Sequence, residues 1–141
     1  MFKKILVSTD GSEYSKRAFG IALNFAETCG SELILLHVTF TPEALGYTLK
    51  IGNSALQDES LATGEMVLQA TLGGFDTSKI ALQVRQKPGH PAVSIIEEAQ
   101  AENVDLIIMG NHGYGPLTGS MLGSVSQKVL HRSPCPVLIV K

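Results

Sequence analysis

Short apolar runs recur along the chain, each bounded by residues that favour turns. Ile5-Leu6-Val7, Leu33-Ile34-Leu35-Leu36 and Leu106-Ile107-Ile108-Met109 are continuous rather than alternating, the pattern of strands buried on both faces. They predict central strands of a parallel sheet. Between the first two, Ala18, Ile21, Ala22, Phe25, Ala26 and Cys29 recur at helical spacing, with Ser12 placed as N-cap and Gly30 as the C-terminal stop.

The segment from Ser78 to Lys87 alternates Ile80, Leu82 and Val84 with Ala81, Gln83 and Arg85, so one face is wetter and an edge strand is predicted. His90-Pro91 opens a helix whose buried stripe is Ala92, Ile95, Ile96 and Ala99. A last helix, about Ser120 to His131, turns Leu122, Val125, Val129 and Leu130 inward, while Lys128, His131 and Arg132 suit its negative end. Val137 to Val140 closes the chain as a fifth strand. Pro42, Gly46, Gly52 and Asn53 break any periodic pattern, so Pro42 to Ser54 reads as a mobile loop, followed by a helix around Leu56 to Leu72 that contains Gly64.

Strand and helix therefore alternate, which predicts an α/β fold: an open, doubly wound, five-stranded parallel sheet with helices on both faces. If the chain winds outward through strands two and three and returns to place strand four beside strand one, the order is 3-2-1-4-5. The crevice at that reversal, where ligands bind in open sheets, is bordered by Ser8-Thr9-Asp10 and by Gly110-Asn111-His112-Gly113.

Composition narrows the function classes. A length of 141 residues with 44% hydrophobic content suits one domain spanning residues 1–141, and no internal repeat or linker divides it. The formal charge of -2 and the scatter of the eleven Lys and Arg argue against a nucleic-acid partner. Apolar runs fall far short of the roughly 20 residues that span a bilayer, which argues against a membrane role. Met1-Phe2-Lys3-Lys4 leads into a strand rather than a signal-peptide core, so a cytoplasmic location is expected. Cys29 and Cys135 have no metal-ligand spacing and read as reduced packing residues.

The stretch GNHGYGPLTGSMLGSVSQ, Gly110 to Gln127, holds five glycines, four serines or threonines and no Lys, Arg, Asp or Glu. Gly110 and Gly113 can bring bare backbone close to a ligand, and Gly123-Ser124 falls in the first turn of a helix that starts near Ser120. Oriented amides and a positive dipole end suit a phosphate there, with the hydroxyls of Ser124 and Ser126 as further donors. Asp10 is placed to accept from a ribose diol. The blander alternative is a turn followed by an ordinary helix cap.

The spacing Gly110, two residues, Gly113, nine residues, Gly123, Ser124 resembles the pattern of the nucleotide-binding subgroup of universal stress proteins. The opening KKILVSTDGSEYSKRA, the strand ending LLHV, the segment DLIIMGNHG and the closing SPCPVLIVK are similar to that family as well. The resemblance implies a Rossmann-like fold of the adenine nucleotide alpha hydrolase type and a role in holding ATP or AMP, in some members with Mg or Mn on the phosphates. It implies Asp10 as the ribose contact, Ser8 and Thr9 as the wall beside it, and Val38 as a backbone partner of adenine. Met109 and Gly110 would lie beside the ribose and phosphates, with Gly113, Gly123, Ser124, Val125 and Ser126 around the phosphate chain. Ser8 departs from the Pro or Ala of many members and makes the wall more polar.

The histidines divide. His37 reads as a packed or hydrogen-bonded residue, His90 and His131 as helix-end residues, and His112 as either a loop residue or a nucleotide contact. Two other functions compete with a regulatory nucleotide-binding, stress-response protein. A slow ATP hydrolase or phosphotransfer enzyme would use cations around the transferred group, yet no Lys or Arg lies between Lys87 and Lys128, and no catalytic residue is assigned. A nucleotide-free interaction domain would not need the glycine spacing. The apolar run Val137 to Val140 at a sheet edge predicts a twofold homodimer paired through that strand, an arrangement the resemblance also implies.

Overall fold

A computed structural model describes residues 2–40, 54–111 and 122–141, with side chains from residue 63 onward in the second range. The elements are β1 (Lys4–Ser8), α1 (Glu13–Cys29), β2 (Glu32–Thr39), α2 (Ser54–Leu72), β3 (Leu82–Pro88), α3 (Pro91–Ala101), β4 (Leu106–Gly110), α4 (Ser124–Arg132) and β5 (Val137–Val140). The sheet is parallel throughout, in the order β3-β2-β1-β4-β5. The predicted α/β topology is thus the observed one.

Period two along the strands divides the core. Ile5, Val7, Leu33, Leu35, Leu106 and Ile108 face Ala18, Phe19, Ala22 and Ala26 of α1 and Leu68 of α2. Leu6, Ile34, Leu36, Ile107 and Met109 face Ala92, Ile95 and Ala99 of α3 and Val129 of α4. Helices therefore cover both faces, which is why the inner strands read as unbroken apolar runs.

Helix α1 begins where Ser12 accepts a hydrogen bond from Ser15 N at 3.3 Å and ends where Gly30, at φ 72°, donates to Ala26 O. Its buried stripe differs from the predicted one. Ser15, Ala18, Phe19, Ala22, Leu23 and Ala26 face inward, whereas Ile21 and Cys29 are exposed. The aromatic ring of Phe19 enters the core and stacks edge-on against Phe75 at 5.3 Å.

Further boundaries and faces depart from expectation. β3 starts at Leu82, because Ser78 is held in a turn by bonds from its N–H and hydroxyl to Asp76. Its face does not simply alternate: Val84 is exposed while Arg85 turns onto Glu98, which is 2% exposed on α3. α4 starts at Ser124 with Gly123 as its N-cap, four residues later than the start expected near Ser120, and in it Leu130 is exposed and Ser126 is buried, since the hydroxyl of Ser126 has a partner under the helix. The loop expected from Pro42 to Ser54 lies outside the described residues up to position 53, and Ser54 already begins α2.

Candidate functional site

β1 and β4 are neighbours, yet the chain leaves them on opposite faces, β1 into α1 and β4 toward α4. Their carboxyl ends therefore part. Residues of the Ser8–Ser12 turn line one side of the gap and the start of α4 the other.

On the β1 side, Ser8 is half-buried and Thr9 is buried. Thr9 N donates to Leu36 O at 2.9 Å, continuing the sheet one residue past the strand, and Thr9 O accepts from His37 Nδ1 at 2.9 Å. A carbonyl only accepts, so Nδ1 carries the proton and His37 has the hydrogen-bonded, structural place expected of it. Asp10 accepts from Ser12 N at 2.9 Å and from Ser15 Oγ at 3.0 Å, both through Oδ1. Gly11, at φ 84°, makes the turn that brings the chain back into α1.

Val38 is buried on β2 beyond the last pair that β2 makes with β1, Ser8 with Leu36. In a parallel strand both backbone groups of a residue point the same way, alternating along the chain. Leu36 faces β1, as its bond from Thr9 N shows, and Thr39 faces β3, where its carbonyl accepts from Gly89 N at 2.9 Å. Val38 N–H and C=O consequently point to the β1 side, past the strand that would pair with them.

On the β4 side, Met109 is buried against α3 and α4, and Gly110 ends the strand. A Cβ on Gly110 would stand 2.7 Å from Tyr14 Cβ and 2.9 Å from Tyr14 C, so this glycine is required by the close approach of α1. Beyond it, Asn111 N donates to Val140 O at 2.7 Å and Asn111 O accepts from Gly123 N at 2.9 Å. That bond positions the start of α4. Gly123 is its N-cap and supplies no side-chain cap, so the first-turn amides at Ser124, Val125 and Ser126 are not satisfied by a capping side chain. Ser124 is exposed and Val125 half-buried, whereas Ser126 directs its hydroxyl to Gly110 O at 2.8 Å. His112 and Gly113 lie outside the described residues.

The structure thus brings Ser8, Thr9, Asp10, Val38, Met109, Gly110, Gly123, Ser124, Val125 and Ser126 to the carboxyl end of the sheet. It also adds residues that sequence reasoning passed over. Ser15 and Thr71 join Thr9 and Ser12 in a buried hydroxyl cluster, with Thr9 Oγ1 2.6 Å from Thr71 Oγ1 and 3.1 Å from Ser15 Oγ. The spacing of Ser15 three residues after the N-cap was a readable signal. Thr71, 62 positions away from Thr9, had none.

The site's donors are backbone amides and hydroxyls. Among the described residues no group of three or more His, Cys, Asp or Glu is arranged to hold a metal ion. Among them, too, no helix is long and apolar enough to cross a membrane.

An open α/β sheet with a crevice at its β1/β4 reversal, bordered by the Ser8–Ser12 turn and a glycine-capped helix, defines a Rossmann-like domain. The model of the universal stress protein family matches residues 1–141, and the chain belongs to that family. It is 35% identical over 151 residues to a universal stress protein of Thermus aquaticus, covering 100% of both chains. Among solved structures, the hypothetical protein MJ0577 superposes with a TM-score of 0.85 at 31% identity, covering 100% of this chain and 96% of the other. A universal stress protein solved in complex with cAMP gives a TM-score of 0.64 at 27% identity, covering 99% and 96%.

Proposed function

We propose that this chain is a regulatory protein that holds an adenine nucleotide, ATP or AMP, between the carboxyl ends of β1 and β4. The observation that carries the reading is the pairing, across one crevice, of two backbone sets that have no backbone partner among the described residues: Val38 beyond the end of β1, and the first-turn amides of α4 behind the side-chain-less N-cap Gly123. Val38 offers a donor and an acceptor to the edge of a base. The α4 amides and their dipole suit phosphates. Asp10 lies between, its carboxylate turned by Ser12 and Ser15, and receives the ribose hydroxyls. Ser8 and Thr9 form the wall of that pocket and Met109 and Gly110 its floor; Gly113 and His112, outside the described residues, are assigned to the phosphates by the sequence pattern alone. A relative described in complex with cAMP supports an adenine nucleotide as the ligand class.

Binding is favoured over phosphoryl transfer because the residues from 88 to 127 contain no Lys or Arg, so the site depends on fixed amides. A divalent ion such as Mg or Mn would be held by the phosphates, with no protein ligand assigned to it. Residues 1–141 act as one domain, in the cytoplasm, as part of a stress response, and two copies pair through β5.

The test is direct. Purified protein is scanned for an adenine chromophore after gel filtration, and its melting is followed with ATP and magnesium. Saturation at a hundred times Kd raises stability by about 2.7 kcal/mol. No chromophore and no shift with either ATP or AMP would refute nucleotide binding.

A further inference from the structure

We propose that Ser15 is a positioning residue that sets the orientation of Asp10 and thereby the preference of the site for ribose over 2′-deoxyribose. This rests on the nucleotide reading above.

Each hydroxyl has one proton, and the cluster leaves little choice about where they go. Thr71 Oγ1 donates to the carbonyl of Val67 at 2.9 Å, so its 2.6 Å contact with Thr9 receives a proton from Thr9. Thr9 Oγ1, its proton given to Thr71, accepts from Gly11 N at 3.0 Å and lies 3.1 Å from Ser15 Oγ as a neighbour with no proton left to donate to it. Ser12 Oγ accepts from Ser15 N and lies 3.2 Å from Ser15 Oγ. Ser15 Oγ is therefore approached by a hydroxyl donor on the Ser12 side. Its own proton is directed to acceptors: Asp10 Oδ1 and Ser12 O, each at 3.0 Å.

The consequence falls on the carboxylate. Oδ1 of Asp10 is held from two directions, by Ser12 N and by Ser15 Oγ, and no donor among the described residues reaches Oδ2. With one oxygen pinned, the plane of the carboxylate is fixed and the other oxygen is left for the ligand. A backbone donor alone fixes a distance; the second donor fixes the rotation about the Cβ–Cγ bond. Ser15 is buried and belongs to the first turn of α1, whose backbone packs directly on Gly110, so the hydroxyl has a rigid base. A 2′-hydroxyl distinguishes an oriented carboxylate from a rotating one, because only the former presents a lone pair to it without an ordering cost.

Wild type, Ser15→Ala and Ser15→Thr are compared for binding of ATP and 2′-deoxy-ATP by titration calorimetry, with melting of the ligand-free proteins measured alongside. Wild type is expected to prefer ATP. Ser15→Ala should weaken ATP about tenfold and leave 2′-deoxy-ATP nearly unchanged, so the ratio falls toward one. Ser15→Thr, which keeps the hydroxyl, should restore the ratio. In an Asp10→Ala background, Ser15→Ala should have no further effect on it, which keeps the test valid if either single variant is less stable. A ratio unchanged in Ser15→Ala, or equal loss for both nucleotides, would overturn the inference while leaving nucleotide binding standing. Failure of wild type to bind either compound would overturn both.

Discussion

The hydroxyl of Ser126 donates to the carbonyl oxygen of Gly110 over 2.8 Å, tying the first turn of α4 to the last residue of β4. On its other side Gly110 abuts α1, where a Cβ would stand 3.0 Å from Ser15 N. One glycine backbone thus spaces two helix N-termini across the crevice. Removing either contact should be felt at the site as well as in stability.

Ser126→Ala leaves the buried Gly110 carbonyl without this donor and should cost about 1–2 kcal/mol. Urea unfolding measures it. A midpoint equal to wild type would show that the bond contributes nothing.

Gly110→Ala should cost about 1–3 kcal/mol, because the added methyl meets the backbone of α1 and not a flexible side-chain end. The loss should appear as a lower melting temperature with the secondary structure retained by circular dichroism. A variant as stable as wild type would mean that α1 can retreat freely.

Gly123→Val is the contrasting change. Gly123 has φ −62° and ψ 156°, a conformation that valine adopts without strain, so the fold should survive. The branched side chain would occupy the space in front of the α4 amides and should weaken ATP by at least about tenfold. Unaltered affinity in a folded variant would remove α4 from the phosphate site.

Acid should loosen the edge of the sheet. Burial alone pushes the Glu98 carboxyl up, but hydrogen bonds and charge from Lys87 and Arg85 outweigh it and hold the group below the ordinary carboxylate range. A lowered folded-state value means that the stabilisation is present above the unfolded value, near about 4.3, and is lost as pH falls through the folded one. Arg85 also bonds Glu102 at 2.7 Å, and Lys4 joins Glu102 to Glu32, so β1, β2, β3 and α3 all feel the change. Glu98→Gln should be less stable at pH 7 by about 1–3 kcal/mol, below the value for a fully buried pair because Arg85 and Lys87 are 28% and 46% exposed. Its stability should also vary less than that of wild type between pH 5 and pH 3, roughly the window in which carboxylates titrate. Parallel pH profiles for the two proteins would count against this role.

The proposed dimer is best probed at Leu138. Val137 and Ile139 pack onto the α3/α4 core and Val140 onto the α1 core, whereas Leu138 is 36% exposed on the outermost strand. Leu138→Lys should halve the mass seen by light scattering to that of the 15.0 kDa chain, with the fold intact. Ile139→Lys would confuse loss of pairing with loss of core. A wild type that is already a monomer would dismiss the pairing through β5.

The central strands were legible in the residues themselves, since continuous runs such as Leu33 to Leu36 and Leu106 to Met109 have no polar face to expose and must lie between layers of helix; the order 3-2-1-4-5 followed only from an assumed winding, which the structure has. The caps of α1 were equally local: a hydroxyl at Ser12 and a glycine at position 30 act within a few residues of themselves. Of the glycine spacing from Gly110 to Ser124, the structure places Gly110 at the end of β4 and Gly123 at the N-cap of α4, while Gly113 lies outside the described residues. Only the tertiary structure decided which groups the chain uses internally. The Ser126 hydroxyl, expected to face a ligand, is bonded to a carbonyl 16 residues away; Glu98, outside the apolar stripe read for α3, is buried beneath two cations from another strand. Thr71 reaches Thr9 across 62 positions. Hydrophobic period and capping are properties of neighbours in sequence and are written there. The partner of a buried polar atom is chosen by packing, because burial makes an unpaired donor or acceptor costly and the nearest complement in space satisfies it wherever it stands in the chain.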